Sequence, residues 1–147
     1  MRGGKGETYE GGIKVIAALR WKGKIAPQTN FSSIMTMMDV FPTLAGATNI
    51  PMMNTKKLWG RDMWSAINNS KNIPLTQEVF FASETPNYGQ FHTTVFNEKW
   101  KLVQVISSSL MEVNVNNQLF DIRNDPNEYK NLAAEYPKLV ELMADKI

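Results

Sequence analysis

Cysteine is absent from the 147-residue chain, histidine occurs once, and charges of opposite sign nearly balance. Without cysteine, the chain has no disulfide framework, no thiolate metal site and no cysteine nucleophile. A formal net charge of only +2, without any block of like charges, gives no reason to expect nucleic acid or an anionic membrane as a partner. No apolar run approaches the roughly 20 residues of a membrane-spanning helix, and the first residues lack the apolar segment of a signal peptide. What remains is the composition of an ordinary globular domain.

The single histidine, His92, lies between Phe91 and Thr93 in a run that predicts a strand. A lone histidine without a nucleophile and an orienting acid at suitable spacing cannot form a Ser-His-Asp system. We therefore interpret His92 as a surface or hairpin residue. A place at the rim of a substrate pocket is the alternative.

A glycine-rich stretch, residues 3–12, contains five glycines and Lys5. Glycine permits positive φ and lets a backbone approach a ligand closely, and a lysine there is a mobile cation suited to an anionic group. The stretch is not a Walker loop, because Gly6 follows Lys5 and the apolar run comes after the loop. The alternative is a flexible surface loop with a solvated lysine. In either case, Glu10 is interpreted as an acceptor that orders the loop rather than as a general base.

Periodicity predicts the elements that follow. Residues 13–19 are apolar except for Lys14, which is typical of a strand buried on both faces of an α/β sheet. A short helix is predicted over residues 40–47, with Asp39 as its N-cap. A second helical turn is predicted after Asp62 as its cap. Four apolar or alternating runs then predict a small antiparallel sheet, with a hairpin turn at Asn97-Glu98. The runs are residues 79–84, 91–96, 99–106 and 119–122.

The acidic segment 121–128 is the one place where a metal site comes into question. Its acidic residues do not follow the alternating pattern, with glycine, that a calcium loop requires. We interpret Asp125-Pro126 as the start of a turn in which aspartate bonds to the backbone, and we predict no metal ligands in this chain. A closing helix is predicted from Pro137, which suits the first helical position, and its apolar stripe should pack on the sheet.

Three segments resemble the sulfatase family, and more narrowly the arylsulfatases. The first is residues 3–12 with the apolar run and residues 20–25 after it. The second is the helix start at residues 39–44. The third and longest is residues 119–133, which is similar to the C-terminal sulfatase signature. The resemblance covers nearly the whole chain but corresponds only to the C-terminal part of a sulfatase.

This resemblance implies an α/β fold, the alkaline-phosphatase-like sulfatase fold. Residues 1–75 would be the end of the large α/β catalytic domain and would contribute an edge of its sheet. Residues 76–147 would be the C-terminal subdomain, a small four-stranded antiparallel sheet packed by the terminal helix.

The resemblance also implies a function. The parent would be a sulfuric ester hydrolase with a formylglycine nucleophile, made from the cysteine or serine of a Cys/Ser-x-Pro-x-Arg motif, and a Ca²⁺ or Mg²⁺ ion. That motif is absent here, so nucleophile and metal ligands are expected upstream, and the chain alone is expected to be inactive. Lys5 matches the family lysine that contacts the sulfate group. The substrate would be a sulfated small molecule or glycan. The location would be periplasmic or secreted, or lysosomal in a eukaryote.

Two alternatives stay open at this point. One is a phosphonate or phosphodiester hydrolase of the same superfamily, because the discriminating nucleophile is not in the sequence. The other is a non-catalytic, stand-alone binding or structural module. The sulfatase hypothesis further predicts self-association through residues 13–19, since an unpaired apolar strand seeks a neighbour.

Overall fold

The computed structural model describes residues 1–52, 57–69, 71, 73–75, 79–85, 89–109 and 112–147, and for residues 80–85 only the backbone. These residues form two compact units, one made of residues 1–16 with 76–147 and the other of residues 17–75. The glycine-rich stretch, residues 3–12, belongs to the unit that contains the C-terminal half. The division of the chain into domains 1–75 and 76–147 stays a prediction. The assignment of either part to a larger catalytic domain stays a prediction.

The first unit is built on the antiparallel sheet that the sequence predicts. Its four strands lie in chain order, and each pairs antiparallel with the next. They are β1 (Val79–Thr85), β2 (Gln90–Phe96), β3 (Trp100–Ser108) and β4 (Val113–Asp121). Strand β4 begins earlier than predicted, because its polar first half continues the backbone ladder with β3 despite its weak strand propensity.

The hairpin turn between β2 and β3 depends on an asparagine side chain. Asn97 N–H donates to the Trp100 carbonyl over 2.9 Å. Asn97 Oδ1 accepts from the backbone N–H groups of Lys99 and Trp100, over 2.9 and 2.8 Å. This side-chain bonding replaces the Asn-Gly geometry of the commonest hairpins, and it confirms the predicted turn.

One face of the sheet is covered by the C-terminal helix. Helix α4 (Pro137–Ala144) begins with proline in its first turn, as predicted. Its buried side chains contact the alternate, buried residues of three strands. The members of this cluster are Val95, Leu102, Leu119, Val140 and Met143. Burial of these apolar side chains is the main force that holds the helix on the sheet.

The buried strand predicted over residues 13–19 does not form, and that prediction is wrong. A short helix, α1 (Glu10–Ile13), occupies its start, and none of the sheet pairings in the described part of the chain includes the residues after it. Val15 and Ile16 are 77% and 101% exposed. A strand requires a neighbour to satisfy its backbone groups, and no described residue supplies one here.

The second unit contains α2 (Met37–Thr48) and α3 (Trp64–Asn68). Helix α2 starts before the predicted position, with Thr36 as N-cap, so the assignment of Asp39 as N-cap is wrong. Asp39 is the third residue of the helix, where its Oδ2 accepts from Thr36 N–H over 2.8 Å in a capping box. Helix α3 has Met63 at its N-cap position, so the assignment of Asp62 as the cap is wrong. Asp62 lies one residue earlier, where its Oδ1 accepts from Trp64 N–H over 2.8 Å.

Candidate functional site

The glycine-rich loop folds so that its two limbs touch. Gly11 N–H donates to the Arg2 carbonyl over 2.7 Å. A Cβ on Gly11 would lie 2.4 Å from the Gly3 oxygen, and one on Gly12 would lie 2.0 Å from the Glu7 oxygen. Both contacts are far shorter than a carbon and an oxygen tolerate. These glycines are therefore required for backbone to approach backbone within the loop.

Lys5 lies at the tip of this loop, in a turn that two hydrogen bonds between Gly4 and Glu7 close. Glu7 N–H donates to the Gly4 carbonyl over 3.0 Å, and Gly4 N–H donates to Glu7 Oε2 over 2.8 Å. Gly6 has a φ of 91°, which the third residue of a type II turn requires. The Lys5 side chain is exposed and forms no ion pair with any residue that the structure describes. The turn thus presents an unpaired ammonium group on an ordered backbone.

Tyr9 docks the loop on the face of the sheet opposite α4. Tyr9 is 5% exposed and belongs to a buried cluster with Val103 and Phe120. The Tyr9 hydroxyl donates to Gln118 Oε1 over 3.0 Å. The Arg2 guanidinium covers the other side of the ring, 4.4 Å from its centre, as in a cation–π contact. Burial raises the pKa of Tyr9, so the hydroxyl stays a donor at neutral pH.

Beneath the loop lies a buried ionic network on β3. Lys101 is fully buried, and its Nζ lies 2.8 Å from Glu128 Oε1 and 3.0 Å from Glu10 Oε1. Glu128 is also fully buried, and its Oε2 accepts from the Glu10 backbone N–H over 2.7 Å. Lys14 approaches Glu10 from the exposed side, at 3.5 Å. Glu10 therefore has the loop-ordering role that the sequence predicts.

Sequence reasoning missed Lys101 and Glu128, although one signal was available. Lys101 follows Trp100 and precedes Leu102 in a strand, so it points to the face opposite the α4 cluster. Val103 follows on that same face and is itself buried. A lysine among apolar residues on a covered face needs an acidic partner, because an unpaired buried charge is strongly unfavourable.

His92 is buried, so its interpretation as a surface residue is wrong, whereas its place in a hairpin is confirmed by the antiparallel pairing of β2 with β3. It is 3% exposed in β2, and its ring meets that of Tyr9 edge to face at 5.9 Å between centroids. Burial lowers the pKa of His92, and its Nδ1 has no hydrogen-bond partner among the described residues. His92 is buried because the glycine-rich loop covers this face of the sheet.

A cleft of about 350 Å³ lies between the loop and the sheet, and His92 is part of its wall. Arg2, Glu7, Tyr9 and Gln118 also line it. The cleft is formed by the loop that carries Lys5 and is lined largely by polar side chains. That it borders a substrate pocket, with His92 at the rim, stays a prediction.

The acidic turn is confirmed as a turn. Asp121 Oδ1 accepts from Asn124 N–H over 3.1 Å, and Asp125 Oδ2 accepts from Lys130 N–H over 2.9 Å. Within the described ranges, no group of three or more histidine, aspartate or glutamate side chains could hold a metal ion. The residues present therefore do not fit the divalent cation that the resemblance implies.

Comparison with known proteins identifies the family. A family model for the C-terminal region of N-sulphoglucosamine sulphohydrolase matches residues 4–147. The chain belongs to the sulfatase family. An N-acetylgalactosamine-6-O-sulfatase of Bacteroides thetaiotaomicron is 22% identical over 152 residues, covering 98% of this chain and 28% of the relative. Human arylsulfatase A is 34% identical over 87 residues, covering 59% of this chain and 17% of the relative. Rat steryl-sulfatase is 40% identical over 62 residues, covering 42% of this chain and 11% of the relative.

Solved structures agree on the fold of this sulfatase chain. The crystal structure of Ps i-CgsB superposes with a TM-score of 0.65 at 20% sequence identity, covering 86% of this chain and 26% of that one. The predicted alkaline-phosphatase-like fold class is thereby confirmed. Membership of a hydrolase family follows from the family model and from the sulfatase relatives. The chain spans about a tenth to a quarter of its relatives' lengths, as expected of a C-terminal portion. None of the helices among its described residues is long and apolar enough to cross a membrane.

Proposed function

We propose that this chain is the C-terminal part of a sulfuric ester hydrolase and that Lys5 contacts the sulfate group of the substrate. The observation that carries the proposal is the exposed, unpaired ammonium of Lys5 on a turn held by Gly4 and Glu7. A lysine in such a position is ready to meet an anion. Membership of the sulfatase family supports sulfate as that anion.

In this proposal the chain supplies charge stabilisation rather than the nucleophile. As the ester bond breaks, negative charge grows on oxygen atoms bonded to sulfur, and a nearby ammonium group lowers the energy of that state. The formylglycine nucleophile and the Ca²⁺ or Mg²⁺ ion would be provided by residues outside this sequence. The C-terminal sheet and α4 would support the loop that presents Lys5.

We further propose a sulfated glycan as the substrate class, with another sulfated small molecule as the alternative. The N-acetylgalactosamine-6-O-sulfatase relative matches 98% of this chain, whereas the steryl-sulfatase of rat matches only 42%. A second crystal structure of Ps i-CgsB, with a TM-score of 0.59, contains a neocarrahexaose oligosaccharide. A periplasmic or secreted location belongs to the same proposal.

The sulfate contact can be tested on the isolated chain. Sulfate is titrated against the chain, and NMR chemical shifts of the Gly4, Gly6 and Glu7 amides report binding at the turn. The Lys5→Ala variant should lose these shifts. The control is Lys22→Ala, which removes another exposed lysine, one that lies outside the loop. If both substitutions weaken sulfate binding equally, binding depends only on the overall charge of the chain, and the proposed contact with Lys5 is refuted.

Catalysis is tested separately. The isolated chain should not hydrolyse 4-nitrophenyl sulfate with or without Ca²⁺ or Mg²⁺, because its sequence contains no nucleophile motif and its described residues form no metal site. Turnover that depends on added metal, and that survives further purification, would overturn the division of roles proposed here.

A further inference from the structure

We infer that Lys101 and Glu128 are positioning residues for the glycine-rich loop. They set the place of Lys5 without touching what Lys5 binds. The inference concerns the arrangement of the loop, and only its consequence for sulfate rests on the proposed function. Three segments far apart in sequence meet at this pair: α1, strand β3 and the turn after β4.

Glu128 holds both limbs of the loop. Its Oε2 accepts from the Glu10 backbone N–H over 2.7 Å, and its carbonyl accepts from Arg2 Nη1 over 3.4 Å. Arg2 and Glu10 flank Lys5 on either side. Since Gly11 N–H also bonds to the Arg2 carbonyl, a single turn residue anchors the loop where it closes.

The backbone of Glu128 is itself specialised. Its φ is 58°, in the left-handed region that residues other than glycine rarely adopt. Such a conformation persists only where the surroundings hold it. Here the buried carboxylate is held at one oxygen by Lys101 Nζ and at the other by the Glu10 amide. The cost of the conformation is offset by the contacts that anchor the loop.

The charge arrangement makes the docking of the loop all or none. A fully buried ammonium is tolerated only when its partners are in place. Lys101 needs carboxylates from two segments, Glu10 and Glu128, so displacement of the loop removes one partner from a buried cation. Lys14 balances the second carboxylate. Buried ion pairs add little net stability compared with apolar packing. The contribution that we infer for this network is therefore to favour one position of the loop over others.

The test separates positioning from stability with a double variant, Lys101→Met with Glu128→Gln. It removes both buried charges together and keeps similar side-chain volume, so global stability in urea should change little. Hydrogen exchange of the amides of residues 10–14, measured without sulfate, should become at least tenfold faster. Amides of the β3–β4 ladder should keep their protection. The control is Lys99→Met, which removes an exposed lysine beside the same strand. It should alter neither the exchange of residues 10–14 nor the protection of the β3–β4 ladder.

Unchanged exchange in residues 10–14, or an equal rise in the loop and the ladder, would overturn the inference. If the double variant fails to fold, Glu10→Gln provides the same measurement, because that carboxylate lies at the edge of the network with 12% of its side chain exposed. Exchange is measured without sulfate, so its outcome does not depend on whether Lys5 binds sulfate. A sulfate titration of the double variant then shows whether the loosened loop weakens that contact.

Discussion

Lys101 Nζ and Glu128 Oε1 lie 2.8 Å apart, and neither side chain is exposed to solvent. The lysine belongs to the third strand of the sheet and the glutamate to the turn after the fourth. Their contact joins the acidic turn to the sheet beneath the glycine-rich loop. The position of the loop, and of Lys5 at its tip, therefore depends on a pair of charges that the loop itself covers.

Removal of one charge of this pair should lower the free energy of unfolding much more than removal of both charges. Glu128→Ala leaves the buried ammonium of Lys101 with only Glu10, and we expect a loss of about 3–5 kcal/mol in the free energy of unfolding. Urea denaturation measures it. Glu135→Ala breaks the exposed ion pair with Lys130 and should leave stability essentially unchanged. Similar losses from the two substitutions would contradict the account of the network.

Two glycines of the loop should differ in their tolerance of alanine. Gly12→Ala places a methyl group 2.0 Å from the Glu7 carbonyl, and the backbone there cannot move without opening the loop. We expect destabilisation of about 1–3 kcal/mol, typical of overpacking. Gly4→Ala is the matched control, since no atom of the described residues, apart from its chain neighbours, lies within 4 Å of the added Cβ, and its φ is not positive. Thermal unfolding of both variants gives the comparison, and equal tolerance would argue against the closed loop.

His92 should make stability depend on pH in the weakly acidic range. Burial lowers the pKa of His92 in the folded chain below its ordinary value of 6.5, despite the opposing effect of Glu7. As pH falls below about 6.5, the unfolded chain binds a proton that the folded chain resists, so stability decreases. Urea titrations at several pH values should show this slope, and His92→Gln should remove it. A slope that persists in the variant would assign the effect to other groups.

The exposed apolar segment after the loop should cause self-association. Val15 and Ile16 are both largely exposed to water, and such a segment offers unpaired backbone and apolar surface to a second copy. Sedimentation velocity should show a concentration-dependent shift that Ile16→Lys abolishes. Tyr129→Lys, at a position 83% exposed elsewhere in the chain, should not change the shift. A strictly monomeric profile of the unmodified chain would refute the prediction.

Local signals in the sequence determined most of the sheet unit. Apolar alternation located the strands around Asn97, and this asparagine closes its turn through bonds to residues only two and three positions away. Pro137 marked the start of the last helix in the same local way. Such features are predictable because their hydrogen bonds and backbone preferences involve neighbouring residues.

Only the tertiary structure decided which groups are buried and with what partners. Lys101 and Glu10 are 91 residues apart in sequence, so the residues next to either one do not predict their ion pair. His92 is buried because the glycine-rich loop lies over its face, and residues 13–19 fail to form a strand because none of the described residues pairs with them. The sequence by itself thus determined the strands and the last helix of the sheet unit and, through its motifs, the sulfatase family. The burial of charges and the position of Lys5 were decided by long-range packing, since the free energy of a buried group depends on all the segments that surround it.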